Sequence, residues 1–146
     1  MRRFVRFVCL FLVFASVATI PVFAVENTES RASSYFAYGS AYFTVTSSTE
    51  LEICFDVTAV GMMDELGASK IVLERSTDGV NWSPVKTYYK GSYSQMVDDD
   101  GAFMYSASVP YTYSNGYYYC ATVTLYAKQG NNTANSTVST SILDLT

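Results

Sequence analysis

The chain has 146 residues, nine basic and thirteen acidic, and it contains no histidine. This length suits one domain with a modest core. The absence of histidine excludes a Ser-His-Asp triad, a Cys-His pair and any zinc site that needs an imidazole, and we expect no cofactor.

The first 24 residues have the pattern of a secretory signal peptide. Three arginines within the first six residues precede an apolar run from Phe7 to Ile20, and residues 22–24 offer a cleavage site after Ala24. A retained membrane anchor is the alternative, because the run is long. Cleavage would leave six basic residues against thirteen acidic ones, which disfavours a nucleic-acid partner. We therefore expect a secreted protein without a transmembrane segment in its mature form.

The rest of the chain is predicted to form a single domain of strands. Residues 25–34 are polar and aperiodic, which predicts a flexible lead before a domain over residues 35–146. Alternating apolar and polar side chains predict strands over residues 35–46, 51–59, 68–75, 81–89, 103–109, 116–128 and 133–143. About seven short strands without a helical period predict an all-β, antiparallel β-sandwich.

The segments between these strands carry glycine, proline and acidic residues. We expect a loop over residues 61–67, with its methionines and Leu66 closing one end of the core. Pro84 predicts that the strand over 81–89 is an edge strand or kinks, and Pro110 is expected to end the fifth strand. Asp78-Gly79 predicts a tight turn.

The strand over residues 116–128 is the clearest of the seven. Its apolar face comprises Tyr117, Tyr119, Ala121, Val123, Leu125 and Ala127, and its polar face comprises Tyr118, Cys120, Thr122, Thr124, Tyr126 and Lys128. This pattern is typical of a half-buried strand in an antiparallel sheet.

The order of the strands resembles that of immunoglobulin-like and fibronectin type III domains. In this interpretation the hairpin at Asp78-Gly79, with Trp82 just after it, corresponds to the C–C′ pair, and residues 116–128 correspond to strand F. A tyrosine at the start of strand F often bonds back to the preceding connection, and Tyr117 or Tyr118 could take that role.

A narrower resemblance covers nearly the whole mature chain. Residues 32–43, 51–79, 85–89 and 116–128 are similar to a family of small secreted proteins of Gram-positive bacteria with a single domain of unknown function. The most specific piece is GMMDELGASKI at residues 61–71. The resemblance implies export and one β-rich domain, and it supplies no catalytic residues.

Tyrosine is the residue type in surplus, with thirteen copies. The candidate contact residues are Tyr118 and Tyr126, on the polar face of the clearest strand, and Tyr88, Tyr89, Tyr93, Tyr111 and Tyr113, in or beside connections. A flat ring with a hydroxyl and few rotors suits protein or glycan contacts. The alternative is that these tyrosines only cover sheet surfaces.

Acidic residues and cysteines give weaker signals. Asp98, Asp99 and Asp100 could supply oxygen ligands to calcium, although acidic loops usually face water. No coherent acid pair is present, so a hydrolase is the least favoured function and we expect no enzyme. Cys54 and Cys120 fall on the polar faces of strands that an immunoglobulin-like sandwich places in opposite sheets, so an intramolecular disulfide is not expected.

These patterns predict a secreted or surface-associated binding module. Its unknown extracellular partner would be a protein or a glycan, recognised through exposed tyrosines. The alternative is a structural subunit, in which a bare edge strand pairs with another chain and the protein associates with itself.

Overall fold

Two antiparallel sheets face each other in the computed structural model, which describes residues 34–146. The predicted signal peptide over residues 1–24, and the predicted lead except for Ser34, lie outside the described residues. The all-β sandwich predicted from the alternation is confirmed.

Residues 34–146 form nine strands. These are β1 (Phe36–Val45), β2 (Glu50–Met63), β3 (Glu65–Ser76), β4 (Ser83–Tyr89), β5 (Val97–Asp98), β6 (Ala102–Thr112), β7 (Tyr118–Gln129), β8 (Asn132–Ser139) and β9 (Leu143–Asp144), with a short 3₁₀ turn at Ser94–Met96. The seven long strands correspond to the seven predicted ones, and β5 and β9 are additional two-residue strands.

The long strands divide between a three-stranded and a four-stranded layer. Sheet A has the order β1-β2-β6, and sheet B has the order β4-β3-β7-β8, with β5 added to β3 and β9 added to β7. Strand β2 pairs with β6, while β3 pairs with both β4 and β7. With the long strands lettered A, B, C, C′, E, F and G in chain order, these are the B–E, C–C′ and C–F pairings of an immunoglobulin-like sandwich.

The core lies between the sheets and is built from every second residue of the central strands. The most deeply buried side chains of these strands include Leu51, Ile53, Phe55 and Val57 of β2, Ile71 and Leu73 of β3, and Tyr119, Ala121, Val123 and Leu125 of β7. The predicted period of two therefore holds for β2 and β7, because each sheet packs one face inward and leaves the other outward.

A tyrosine corner stands at the start of β7, but its residue is Tyr119 and not Tyr117 or Tyr118. The Tyr119 hydroxyl donates to the Ser114 carbonyl at 3.0 Å and accepts from the Ser114 amide at 3.1 Å. Tyr119 points into the core, so its ring is buried while its hydroxyl closes the preceding turn. Tyr117 instead lies under the Arg75 guanidinium, 4.4 Å from the ring centroid.

The loop predicted over residues 61–67 is wrong, because β2 continues to Met63 and β3 begins at Glu65. The pairing of β2 with β6 shifts register between Thr58 and Met63, an irregularity after which Met63 pairs with Ala102. Met63 and Leu66 are buried, as expected for an end of the core, whereas Met62 is exposed.

Gly67 is needed for close packing within sheet B. A Cβ on this residue would lie 2.7 Å from Val97 Cα and closer still to the Met96 carbonyl oxygen. Only a residue without a side chain therefore lets β5 and the turn before it pair with β3.

The two prolines behave differently from each other. Pro84 lies in β4, which is an edge of sheet B, as predicted. Pro110 does not end its strand, because β6 continues to Thr112. Strand β6 is also an edge, where a missing amide hydrogen is tolerated.

Candidate functional site

The candidate tyrosines do not form one exposed surface. Three of them are buried, namely Tyr88, Tyr113 and Tyr126. Tyr93, Tyr111 and Tyr118 are half-buried. Tyr89 alone among the seven is widely exposed, at 56%. The predicted recognition surface must therefore be corrected, since most of these rings serve packing.

Tyr88 shows how completely one of these residues is used inside the fold. Its hydroxyl donates to the Pro110 carbonyl at 2.8 Å, and its ring meets the Tyr93 ring edge-on with centroids 5.0 Å apart. Burial, followed by the neighbouring Tyr93 and Tyr111, raises the pKa of Tyr88 to about 12. This side chain ties the β4 edge of sheet B to the β6 edge of sheet A.

Tyr126 is buried although its position in β7 faces outward. Its partner on β3 is Gly67, which offers no side chain to hold the ring away from the sheet. The Lys90 ammonium lies 3.5 Å from the ring centroid. The Glu65 carboxylate binds Lys90 at 3.1 Å and Lys128 at 2.7 Å, so the cation above the ring is fixed.

The remaining tyrosines near the start of β7 form an aromatic cluster. The rings of Tyr111, Tyr113 and Tyr117 each lie between 6.0 and 6.4 Å, centroid to centroid, from the ring of Tyr119. The Tyr113 hydroxyl donates to the Ser47 carbonyl at 3.2 Å. This cluster closes one end of the sandwich and leaves few aromatic surfaces for a ligand.

Two tyrosines that the sequence did not single out are exposed on sheet A. Tyr38 and Tyr42 lie on β1 and are 58% and 46% exposed. Their spacing of four residues puts both on the outer side of the sheet, about 13 Å apart along the strand. Ser40 lies between them, opposite Asp56 of β2. We call the outer side of sheet A, with Tyr38, Ser40, Tyr42, Glu52, Asp56, Ser106 and Ser108, the β1–β2–β6 face.

Two carboxylates on the central strand of this face are held by serines of the edge strands. The Asp56 carboxylate accepts from Ser106 at 2.6 Å and from Ser40 at 3.3 Å. The Glu52 carboxylate accepts from Ser108 at 3.0 Å. Each hydrogen bond restricts the rotamers of its carboxylate while leaving lone pairs available on the oxygens.

The electrostatics of the face favour the neutral form of Tyr42. The charge of Asp56, followed by Cys54, raises the pKa of the Tyr42 phenol above its ordinary 10.0, so its hydroxyl stays a hydrogen-bond donor well into the alkaline range. Cys54 lies opposite Tyr42 on β2, with its Sγ 3.5 Å from the Thr44 hydroxyl. Burial raises the pKa of this thiol, so it is mostly protonated.

This arrangement offers donors, acceptors and aromatic faces without a positive charge. Strands β1, β2 and β6 contain no lysine or arginine, so a phosphate has no counter-charge on the β1–β2–β6 face. Glu52 and Asp56 are four residues apart on one strand, about 13 Å between Cα atoms. That spacing does not favour the closer carboxyl pairs used in glycoside hydrolysis.

The alternation in residues 35–46 could have pointed to β1, because Tyr38, Ser40 and Tyr42 share one parity. Their relation to Asp56 and Glu52 depends on how β1 and β2 are aligned, Ser40 opposite Asp56 and Thr44 opposite Glu52. The alternation within a single strand does not determine its register with a neighbouring strand.

The three consecutive aspartates do not converge on a cation. Asp98 belongs to β5, and its carboxylate accepts from the Asp100 amide at 2.9 Å. Asp99 and Asp100 are exposed. Within residues 34–146 no group of three acidic, cysteine or histidine side chains could hold a metal ion. The weak calcium candidate is therefore not supported, and these aspartates form a solvated turn.

The two cysteines among residues 34–146 lie on the outer faces of different sheets. Cys54 belongs to β2 of sheet A, and Cys120 belongs to β7 of sheet B, opposite Glu74. Both are free thiols, and burial raises the pKa of each. The neighbours of Cys120 along the strand, Tyr119 and Ala121, point into the core, so its side chain points away from it.

Two concave regions of the surface are lined by basic side chains that already have partners. One, of about 290 Å³, lies beside Glu65, Lys90 and Asp99. The other, of about 310 Å³, lies beside Arg75 and Tyr117. In both, the basic side chain is engaged by a carboxylate or a ring, which leaves less of it for a ligand.

Compared with protein-family models, curated proteins and solved structures, the chain has no significant match. The resemblance to small secreted Gram-positive proteins therefore stays a prediction. Within residues 34–146 no helix is long and apolar enough to cross a membrane.

Proposed function

We propose that the protein is an exported binding module that recognises a neutral glycan through the β1–β2–β6 face. The observation that carries this proposal is the row of Tyr38 and Tyr42 beside serine-held carboxylates. The arginine-led apolar leader supports export.

The chemistry of a sugar matches the groups on this face. The apolar side of a pyranose ring packs on an aromatic ring, while its hydroxyls need acceptors and donors around the rim. Asp56 and Glu52 supply charged acceptors, and Tyr42 supplies a neutral donor. Because serines already restrict both carboxylates, binding would cost less side-chain entropy.

A glycan fits this face better than a folded protein surface does. The centres of protein interfaces are depleted in charged residues. Here Asp56 lies on β2 opposite Ser40, which is midway between Tyr38 and Tyr42 on β1. Exposed apolar side chains border this face at one end, where Met104 and Tyr38 both lie opposite Thr58 of β2. Within residues 34–146 no close acid pair and no nucleophile beside a base supports an enzyme.

Binding to a panel of neutral polysaccharides, by affinity electrophoresis and calorimetry, tests the proposal. Removing one stacking ring, as Tyr38→Ala or Tyr42→Ala, should weaken binding about tenfold. The matched control is Tyr89→Ala, because Tyr89 is 56% exposed on β4 of the other sheet. We expect that control to bind like the unchanged protein.

Asp56→Asn completes the test, because it keeps the shape and removes the charge. Loss of a charge-assisted acceptor should again weaken binding several-fold. Absence of binding to every neutral glycan of the panel would overturn the proposal. An equal loss in Tyr89→Ala and Tyr42→Ala would assign binding to some surface other than the β1–β2–β6 face.

A further inference from the structure

We infer that two copies of this chain associate by pairing their β1 strands antiparallel, edge to edge. The result would be a continuous six-stranded sheet made of two copies of sheet A. This inference concerns the edge of sheet A and does not depend on the ligand of its outer face.

Strand β1 is an edge strand that lacks the charged residues and prolines that oppose strand pairing. It is ten residues long, FAYGSAYFTV, and it contains neither a charged residue nor a proline. Among residues 34–146 its only strand partner is β2. In this part of the chain, the backbone groups on its other side therefore have no strand partner. Natural sheets usually protect such an edge with lysine, proline or a covering segment.

The other three edges of the sandwich are protected or poorly suited. Strand β4 carries Pro84 and Lys86. Strand β6 is tied to its surroundings by the Tyr88 hydroxyl on the Pro110 carbonyl and the Tyr105 hydroxyl on the Gln95 carbonyl. Strand β8 consists of asparagine, serine and threonine apart from Ala134 and Val138, so it offers little apolar surface. Strand β1 is thus the edge that combines an open backbone with large apolar side chains.

A groove beside β1 gives an incoming strand an apolar anchor. It has a volume of about 200 Å³ and is lined by Tyr42, Phe43, Ser141, Ile142 and Leu143. Residues of β9 pair with β7 and not with β1, which leaves this gap open. Ile142 is 57% exposed at its border. An apolar side chain from the second strand would fill the groove and cover Ile142.

A second copy of the same chain is the partner that this edge fits. An antiparallel strand is its own complement about a two-fold axis, so one uncharged edge suffices for both partners. The nearest carboxylates, Glu52 and Asp56, lie on β2, one strand back from the contact. Two acidic molecules can therefore approach through β1 without placing like charges directly opposite one another.

Two serines provide a matched pair of variants. Ser40 on β1 and Ser106 on β6 both donate to Asp56 from opposite edges of sheet A. Ser40→Lys and Ser106→Lys each remove one of these bonds and add one charge. Ser40→Lys alone places the charge on the pairing edge, where lysine opposes strand addition.

Sedimentation equilibrium over a wide concentration range, without any glycan, tests the pairing. The protein is expressed from the full sequence and purified in the form that the cell releases. We expect the unchanged protein and Ser106→Lys to dimerise alike. Ser40→Lys should raise the dimer dissociation constant at least about tenfold, which corresponds to roughly 1.4 kcal/mol of association free energy.

A second variant, Ile142→Ser, leaves β1 intact and should also weaken the dimer. Near-ultraviolet circular dichroism checks that each variant is folded. A strict monomer at every concentration overturns the inference, and so does an equal effect of the two lysine variants. Because no glycan is present, failure here is distinguishable from failure of the proposed function.

Discussion

Strands β1 and β4 are both edge strands, one in each sheet, and each carries two tyrosines with opposite outcomes. On β1, Tyr38 and Tyr42 are four residues apart and both exposed. On β4, Tyr88 and Tyr89 are adjacent, and Tyr88 is 1% exposed while Tyr89 is 56% exposed. Adjacent residues of a strand point to opposite faces, so β4 commits one ring to the core.

The contrast between β1 and β4 shows that an abundance of tyrosine does not define a binding surface. What matters is the parity of each tyrosine in its strand and what its neighbours can place over it. Tyr126 shares the outward parity of Tyr42, yet Lys90 covers its ring. Tyr42 has Cys54 as its partner on β2, and its ring stays 46% exposed.

Alanine substitutions of Tyr88 and Tyr38 should differ strongly in their effect on the free energy of unfolding. Tyr88→Ala should lower the free energy of unfolding by about 3–5 kcal/mol, because it empties a buried aromatic site. Tyr38→Ala should change it by no more than about 0.5 kcal/mol, since that ring is mostly exposed. Urea denaturation followed by tryptophan fluorescence measures both. Similar losses in the two variants would mean that both rings are structural.

A smaller effect isolates the hydroxyl of Tyr88. Tyr88→Phe keeps the ring and should cost about 1 kcal/mol at neutral pH, because the Pro110 carbonyl loses its donor. Folding favours the neutral phenol, since its pKa rises from 10.0 to about 12. The stability that this phenol contributes is therefore present below pH 10 and is lost as the pH rises towards about 12.

The stability of Tyr88→Phe at alkaline pH tests the role of the Tyr88 hydroxyl. Tyr88→Phe should lose less stability than the unchanged protein between pH 10 and about 12, measured by urea denaturation at several pH values. Tyr105 and Tyr111, whose pKa values are also raised by burial, add to the alkaline dependence of both proteins. Identical pH profiles for the two proteins would contradict the assigned role of Tyr88.

The smallest change in stability is expected for Glu65, whose carboxylate binds Lys90, the residue that follows β4. Lys128 and Lys90 bind Glu65 and lower the pKa of its carboxyl below the ordinary 4.5. The contribution of Glu65 is thus present above pH 4.5 and disappears as the pH falls through the lowered value. Glu65→Gln should cost less than about 1 kcal/mol at neutral pH, because these ion pairs are partly exposed.

Denaturation at pH 7 and at pH 3 checks this change, with salt as a second variable. The variant and the unchanged protein should converge in acid, and added salt should reduce their difference at pH 7. A difference that persists in acid would show that the glutamate side chain contributes through packing and not through charge.

The central strands could be predicted from the sequence because their alternation is local. Residues 51–59 and 116–128 each keep one apolar parity, and both strands lie at the centre of a layer. The continuation of β2 through Gly61 could not be read in this way. Between Thr58 and Met63 this strand shifts its register against β6, and that shift depends on how the strands pair in the folded sheet.

The candidate site was less predictable for the same reason. The row of Tyr38 and Tyr42 becomes a site only when β2 brings Asp56 alongside, and that alignment is set by pairing between strands. Tyr119 was similarly missed as the corner residue. The relevant signal is the carbonyl of Ser114, whose position depends on the turn that precedes β7.

The placement of the two cysteines has a consequence for how the molecule is held together. Cys54 and Cys120 are on outer faces of opposite sheets, so no oxidation within one folded chain can join them. Residues 34–146 are thus held together by packing, hydrogen bonds and ion pairs, and not by a disulfide between Cys54 and Cys120. A disulfide between these two thiols would therefore link two molecules, and it would form slowly because burial raises the pKa of both thiols.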